Sequence, residues 1–345
     1  MSLSSSFLSW LANDLKIEKE IRRLQIQPSG LITYMSKNNV KVACIQLKMR
    51  PYYTIASFIN DMNSYIKEAV SSGAHIVCLP EYTGMLIYPI ISAFNKLILK
   101  KRSTAEQNIE KLRRILFANG SQMFDIFSCI FINFAIEYGI YIMPGSAVFC
   151  DGKKLYNRSV LIDYIGEIVC VQDKLALSEI ETELGFAAGD TLETAATKFG
   201  KCSILIGDDE RYFEFFKIAK ESGADIVFVP SCTTKFIASD NAQFRANDSG
   251  LYVAKAAMLG KVWDITIKGV SGIYSPCGII NKQTAVLSRA QSSNSEVVIA
   301  AVNMEKLNDC YDVYRFDTNE SFNKNQFGML YQAGSYKKAK AIEDD

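Results

Sequence analysis

Two distant stretches of this chain are spelled almost alike. Gly73-Ala74-His75-Ile76-Val77, followed by Leu79-Pro80, answers to Gly223-Ala224-Asp225-Ile226-Val227, followed by Val229-Pro230. In each, a short apolar, β-rich run bounded by glycine and proline reads as a buried strand. Upstream of each lies another such run and then a segment of helical periodicity: Val40 to Leu47 before Ile55 to Val70, and Lys201 to Ile206 before Glu210 to Ser222. Strand, helix and strand in succession predict a βαβ unit with parallel strands, because parallel neighbours need a crossover long enough to hold a helix. The chain is therefore expected to hold two pseudo-repeated βαβ halves. In open α/β sheets ligands gather outside the carboxyl ends of the strands. Glu81, just past the first proline, and Ser231-Cys232, just past the second, are thus expected at one crevice.

Between the repeats the pattern predicts helices over 103–118 and 121–138, a strand over 141–149, and a hairpin of 155–164 with 167–172 that turns at Ile165-Gly166. After them it predicts a long helix over 241–259 and strands near 262–268, 271–275 and 296–303. Helices outside two inner sheets make an αββα sandwich, α/β in class. Residues 1–38 read as a helical extension ended by Pro28, Ser29 and Gly30, residues 39–310 as one domain, and residues 311–345 as a polar C-terminal extension.

Composition excludes several chemistries. A net charge of +1 with 22% charged residues gives no footprint for a polyanion, so nucleic acid is not an expected partner. The nine cysteines are scattered without a CxxC pair, which suits a reducing cytoplasm better than a disulfide framework. His75 is the single histidine, leaving histidine metal clusters and Ser-His-Asp chemistry without material; no metal and no cofactor are expected. The N-terminus shows no signal-peptide pattern, and the apolar run from Met123 to Met143 is interrupted by Asp125, Asn133 and Glu137, so no bilayer span is expected.

Leu79-Pro80-Glu81-Tyr82, Tyr156-Asn157-Arg158-Ser159 and Asp173-Lys174 resemble, in order and spacing, the motifs of the nitrilase (carbon-nitrogen hydrolase) superfamily. That resemblance implies Glu81 as general base, Lys174 as the cation that stabilises an oxyanion, and Glu181, with Glu183 as the competing choice, as a second acid. It further implies a cysteine nucleophile at the end of a strand, within Cys-Tyr-Asp. Here the chain reads Ile204-Leu205-Ile206-Gly207-Asp208-Asp209. Asp209 is kept, but Gly207 stands at the nucleophile position. Cys202 cannot replace it, lying near the start of the strand, roughly 16 Å away at about 3.3 Å per residue.

Val229-Pro230-Ser231-Cys232-Thr233 and Ile273-Tyr274-Ser275-Pro276 are similar to the nitrilase-like domain that follows an acetyltransferase domain in some bacterial proteins. Relatives carry Ala-x-Glu-Asn on the long helix, where this chain is read as Ala257-Met258-Leu259-Gly260. Tyr82, Asp208 and Cys232 are expected to line the ligand pocket. Asp209 is expected to cap the following helix, and Gly207 to allow a tight strand-to-helix turn.

The resulting expectation is a cytoplasmic family member, a homodimer or higher oligomer, that binds a small amide- or nitrile-like ligand or a partner without Cys-dependent hydrolysis. Two alternatives stand beside it. One is an active hydrolase using Cys232 or a water activated by Glu81; the other is a structural subunit of a catalytic paralogue.

Overall fold

The computed structural model describes residues 14–99, 105–234, 241–262, 265–276 and 285–307. The first half runs α1 (Asp14–Arg22), β1 (Val40–Lys48), α2 (Ile55–Ser71), β2 (Ile76–Cys78), α3 (Ser92–Leu99) and α4 (Ala105–Tyr138). Strands β3 (Tyr141–Met143), β4 (Ser146–Cys150), β5 (Leu155–Ile162) and β6 (Ile168–Asp173) follow, then the short α5 (Glu179–Leu184). The second half holds β7 (Thr194–Ala196), β8 (Lys201–Ile204), α6 (Phe213–Glu221), β9 (Ile226–Ser231), α7 (Asn241–Ser249) and β10 (Tyr252–Val262). It ends with β11 (Ile265–Ile267), β12 (Gly272–Tyr274), β13 (Val286–Arg289) and β14 (Glu296–Val302).

The repeat read from the sequence is present in detail. Strands β1 and β2 are parallel neighbours, as are β8 and β9. Gly73 and Gly223 both adopt a left-handed φ, +85° and +87°, which turns the chain out of the helix before the second strand. Each turn is closed identically. Ala74 N donates to Ala69 O as Ala224 N donates to Ala219 O, at 3.0 Å in both, and His75 N reaches Lys41 O as Asp225 N reaches Lys201 O.

Alternation of side chains along the strands builds the layers. On β1 and β2, Ala43, Ile45, Val77 and Leu79 pack against α2 and α4, while Val42, Cys44, Ile76 and Cys78 face the other way. These meet Ile204, Ile226, Phe228 and Ala254 of the second sheet in a common core. The opposite face of that sheet, Val227, Val229 and Val253, packs on Phe216 and Ala219 of α6 and on Ala242 and Ala246 of α7. The order is helix, sheet, sheet, helix, the expected αββα arrangement. The two sheets are joined where β1 pairs in parallel with β10, Leu47 opposite Met258, so the array curls into one. Helix α1 lies on the same body, with Ile17 and Ile21 in the core beside α2 and α4; the expected tail over 311–345 lies outside the described residues.

Several local expectations fail. The helices over 103–118 and 121–138 are one helix, α4, running unbroken through Gly120, whose bare Cα faces Cys150: a Cβ there would stand 3.1 Å from the Cys150 Cβ. The strand over 141–149 is two, β3 and β4, divided at Pro144-Gly145. The helix over 210–222 starts later, at Phe213, behind a 3-10 turn over Gly207–Arg211.

The long helix over 241–259 stops at Ser249. Gly250, at φ +66°, ends it, and the following alanine-rich run is the strand β10, held between β9 and β12 by its register rather than by its helical propensity. Asn108–Tyr138 is long and apolar enough to cross a bilayer by length and composition, although half of its apolar window is buried inside the fold, where Phe127, Phe131 and Phe134 meet the first sheet.

Candidate functional site

The carboxyl ends of β2, β6, β8 and β9 point to one place, and the side chains that follow them converge there. Glu81 follows β2, Lys174 follows β6, Gly207 follows β8, and Cys232 follows β9. Tight packing fixes the Glu81 turn: a Cβ on Gly145 would stand 1.8 Å from the Pro80 carbonyl oxygen, so glycine is required opposite it. Tyr82 takes a left-handed φ of +62°, uncommon for a bulky residue, and its backbone N–H is held by Ser146 Oγ at 2.9 Å.

Glu81, Lys174 and Glu181 are all buried, at 1%, 3% and 1% exposure. Buried charges must be paired, and these are. Lys174 Nζ lies 2.9 Å from Glu81 Oε1 and 2.9 Å from Glu181 Oε2. Asn157 Nδ2 donates to the same Glu81 Oε1 at 2.9 Å and to Glu181 Oε1 at 3.0 Å. The second oxygen of Glu81 accepts from the backbone N–H of Cys232 at 2.8 Å. Glu181 Oε2 accepts from the N–H and hydroxyl of Ser178, both at 2.7 Å, and its Oε1 also accepts from the Tyr82 hydroxyl.

Glu181 rather than Glu183 enters the site, since Glu183 is exposed. The signal was in the sequence: Ser178-x-x-Glu181 is a capping box that turns the Glu181 carboxylate back onto the start of α5. Asn157 and Ser178 belong to the site as well. Asn157 stood in the sequence only as part of a motif, because nothing in a single sequence tells which face of β5 meets two carboxylates.

Gly207 sits directly against Glu81. A Cβ on Gly207 would come within 2.4 Å of Glu81 Oε2, 2.5 Å of Oε1 and 2.7 Å of Cδ, and the residue takes φ +55°. Any side chain there must displace the carboxylate. Asp208 is half-buried, 3.9 Å from Arg211 Nη1 and close enough to raise the Glu81 pKa. Asp209 does not cap α6. Its carboxylate accepts from Ile206 N at 2.9 Å, Leu175 N at 3.1 Å and Ala176 N at 2.6 Å, tying the loop after Lys174 to the turn that carries Gly207. The Ala257-Met258-Leu259-Gly260 run lies on β10, so the expected comparison with a helical motif does not apply to it.

The electrostatics divide the two glutamates. Burial pushes Glu81 up from 4.5 to about 7, with Lys174 pulling it down and Glu181 and Asp208 raising it. Burial acts on Glu181 in the same direction, but Lys174, the Tyr82 hydroxyl and Ser178 outweigh it and hold this carboxyl below its ordinary value. Lys174 is raised, because two carboxylates overcome its desolvation. The Cys232 thiol is pushed well above the usual thiol range by burial and by Glu81, which disfavours a thiolate. Asp209 is raised to about 6, burial prevailing over three backbone donors.

Residues 41–311 match the sequence profile of the carbon-nitrogen hydrolase family. The chain belongs to that family. Probable hydrolase YhcX of Bacillus subtilis is 25% identical over 284 residues, 79% of this chain, and this chain spans about half, 52%, of that relative's length. A nitrilase of Pyrococcus abyssi is 25% identical over 294 residues, covering 82% of this chain and 98% of its own. Among solved structures, a carbon-nitrogen hydrolase from Helicobacter pylori superposes with TM-score 0.66 at 16% identity, over 84% of this chain and 97% of that one. A mutant of the amidase from Nesterenkonia sp. AN1, which shows the result of Michael addition of acrylamide at its active site cysteine, superposes with TM-score 0.56 at 18% identity, over 80% of this chain and 98% of that one. These likenesses at low identity establish the shared fold of this carbon-nitrogen hydrolase family member.

Proposed function

We propose that this family member has lost covalent hydrolysis and works as a ligand- or partner-binding homologue, with Gly207 at the place of the nucleophilic cysteine and Glu81, Lys174 and Glu181 as a retained polar site. One observation carries the reading: the Glu81 carboxylate fills the volume that a Cβ at position 207 would need. A cysteine requires that volume, so a side chain at position 207 is incompatible with Glu81 as it is seated here. The motifs Val229-Pro230-Ser231-Cys232-Thr233 and Ile273-Tyr274-Ser275-Pro276 support a kinship with the nitrilase-like domains found behind acetyltransferases. The ligand class follows from the family: a small amide- or nitrile-like molecule.

A second reading, hydrolysis by a water activated at Glu81, draws on the Glu81 carboxyl near 7, where a general base operates well. Replacing an activated nucleophile by water costs several orders of magnitude in rate in other hydrolases. Cys232 as a substitute nucleophile is disfavoured by its raised thiol. Ammonia release from a panel of amides and nitriles decides between binding and catalysis. No release above background is expected; turnover that disappears in Glu81→Ala would sink the proposal.

A further inference from the structure

We propose that Asn157 is a positioning residue: it supplies the second shared donor that lets Glu81 and Glu181 divide one lysine between them, and so sets the charge a ligand meets at this site. The geometry is a four-cornered ring. Two donor nitrogens, Lys174 Nζ and Asn157 Nδ2, alternate with two acceptor oxygens, Glu81 Oε1 and Glu181 Oε1, and the four sides measure 2.9, 3.1, 2.9 and 3.0 Å. Two carboxylates around one ammonium carry an excess negative charge in a buried setting, where like charges oppose each other strongly. The two amide hydrogens of Asn157 offset that excess, one directed at each carboxylate.

The other end of the same side chain makes the case that this is not ordinary packing. Among the described residues, the buried Asn157 Oδ1 has no hydrogen-bond partner. A buried, unsatisfied acceptor costs about 1–3 kcal/mol. Turning the amide over would set its oxygen against two carboxylate oxygens, so the cost is tolerated to keep the nitrogen in the ring. The backbone contributes too: the Asn157 carbonyl accepts from Lys174 N at 2.9 Å, fixing ring and lysine to the same residue of β5.

The charged and titratable groups facing Glu81 are Lys174, Glu181, Asp208, Tyr82 and Cys232, and those facing Glu181 are Lys174, Glu81, Tyr82 and Cys232. Of the two carboxylates, Glu81 has fewer donors and lies nearer neutrality, so loss of Asn157 falls on it. The inference does not depend on whether the site turns anything over.

The test is a titration of the full chain with labelled glutamate carboxyl carbons, the Glu81 signal being assigned by its loss in Glu81→Gln. In Asn157→Leu, close in size but without a donor, the Glu81 midpoint should rise by about 1–2 units, since a hydrogen bond to a charged group is worth about 1.5–3 kcal/mol and one unit is about 1.4. Asn157→Ser, with one hydroxyl donor, should shift it less. An unchanged Glu81 midpoint in either folded variant overturns the proposal. Should both variants be unfolded at pH 7.5, they are expected to regain the fold on acidification toward the Glu81 midpoint, and failure to do so overturns it equally.

Discussion

Gly207→Ala puts a single methyl where the Glu81 carboxylate now lies. Two costs follow from the structure. The backbone is at φ +55°, and a left-handed conformation costs a residue with a Cβ about 1–2 kcal/mol. The methyl would also stand 2.4–2.7 Å from three atoms of Glu81, so the carboxylate must retreat by roughly 1 Å to reach ordinary contact. That retreat stretches its bonds to Cys232 N, Lys174 and Asn157, and overpacking of a close-fitted interior costs about 1–3 kcal/mol.

The sum is about 2–5 kcal/mol. With an unfolding entropy of about 2.1 cal/mol/K per residue over a chain of this length, the melting temperature should fall by about 3–7 °C. Gly139→Ala is the matched control. Gly139 also has a left-handed φ, +64°, but open space around its Cα, so it bears the conformational cost alone. Differential scanning fluorimetry of the two variants compares them directly. The double variant Gly207→Ala with Glu81→Ala should recover the steric part. Equal destabilisation by Gly207→Ala and Gly139→Ala would refute the claim that Glu81 is seated against Gly207.

Other perturbations follow from the same site. Because the Glu81 carboxyl is raised from 4.5 to about 7, the folded state holds this proton more tightly than the unfolded chain does. Its contribution is full below pH 4.5 and is lost as pH rises to about 7; melting temperature against pH should therefore fall less steeply over that window in Glu81→Gln than in the parent. Lys174→Met leaves two buried carboxylates without their cation and should cost about 3–5 kcal/mol near neutral pH by urea denaturation, with part regained as pH is lowered. Asp209→Ala strips the acceptor from three backbone N–H groups and should destabilise by about 2–4 kcal/mol, with faster amide exchange at Leu175 and Ala176; unchanged exchange there would contradict the tie between the two loops.

Much of the site was legible because strand ends carry it. The paired Gly-Ala-x-Ile-Val runs fixed two βαβ units, and the residue after each terminal strand had to reach the same crevice. Glu81 and Cys232 were placed in that way, Lys174 came from the likeness of Asp173-Lys174 to the family motif, and the capping box at Ser178 would have separated Glu181 from Glu183. Local propensity misled where tertiary pairing overrode it. Ala254, Ala256 and Ala257 read as helix, yet β9 and β12 claim that run as a central strand, and Gly120 read as a break where a close approach to Cys150 needs a glycine inside a helix. The contact between Gly207 and Glu81 and the bridging amide of Asn157 depend on distances of a few ångströms between segments far apart in sequence, which no periodicity encodes.

Central to the proposed function is a glycine backed by the Glu81 carboxylate at the place of the nucleophile, an arrangement that would allow no covalent intermediate there. Intact mass spectrometry of the protein, acid-quenched during incubation with amides and nitriles, examines that step itself. The account predicts an unmodified mass at every time point. An acyl or imidate adduct that maps to Cys232 or any other residue of the site, and that is absent in Glu81→Ala, would contradict it.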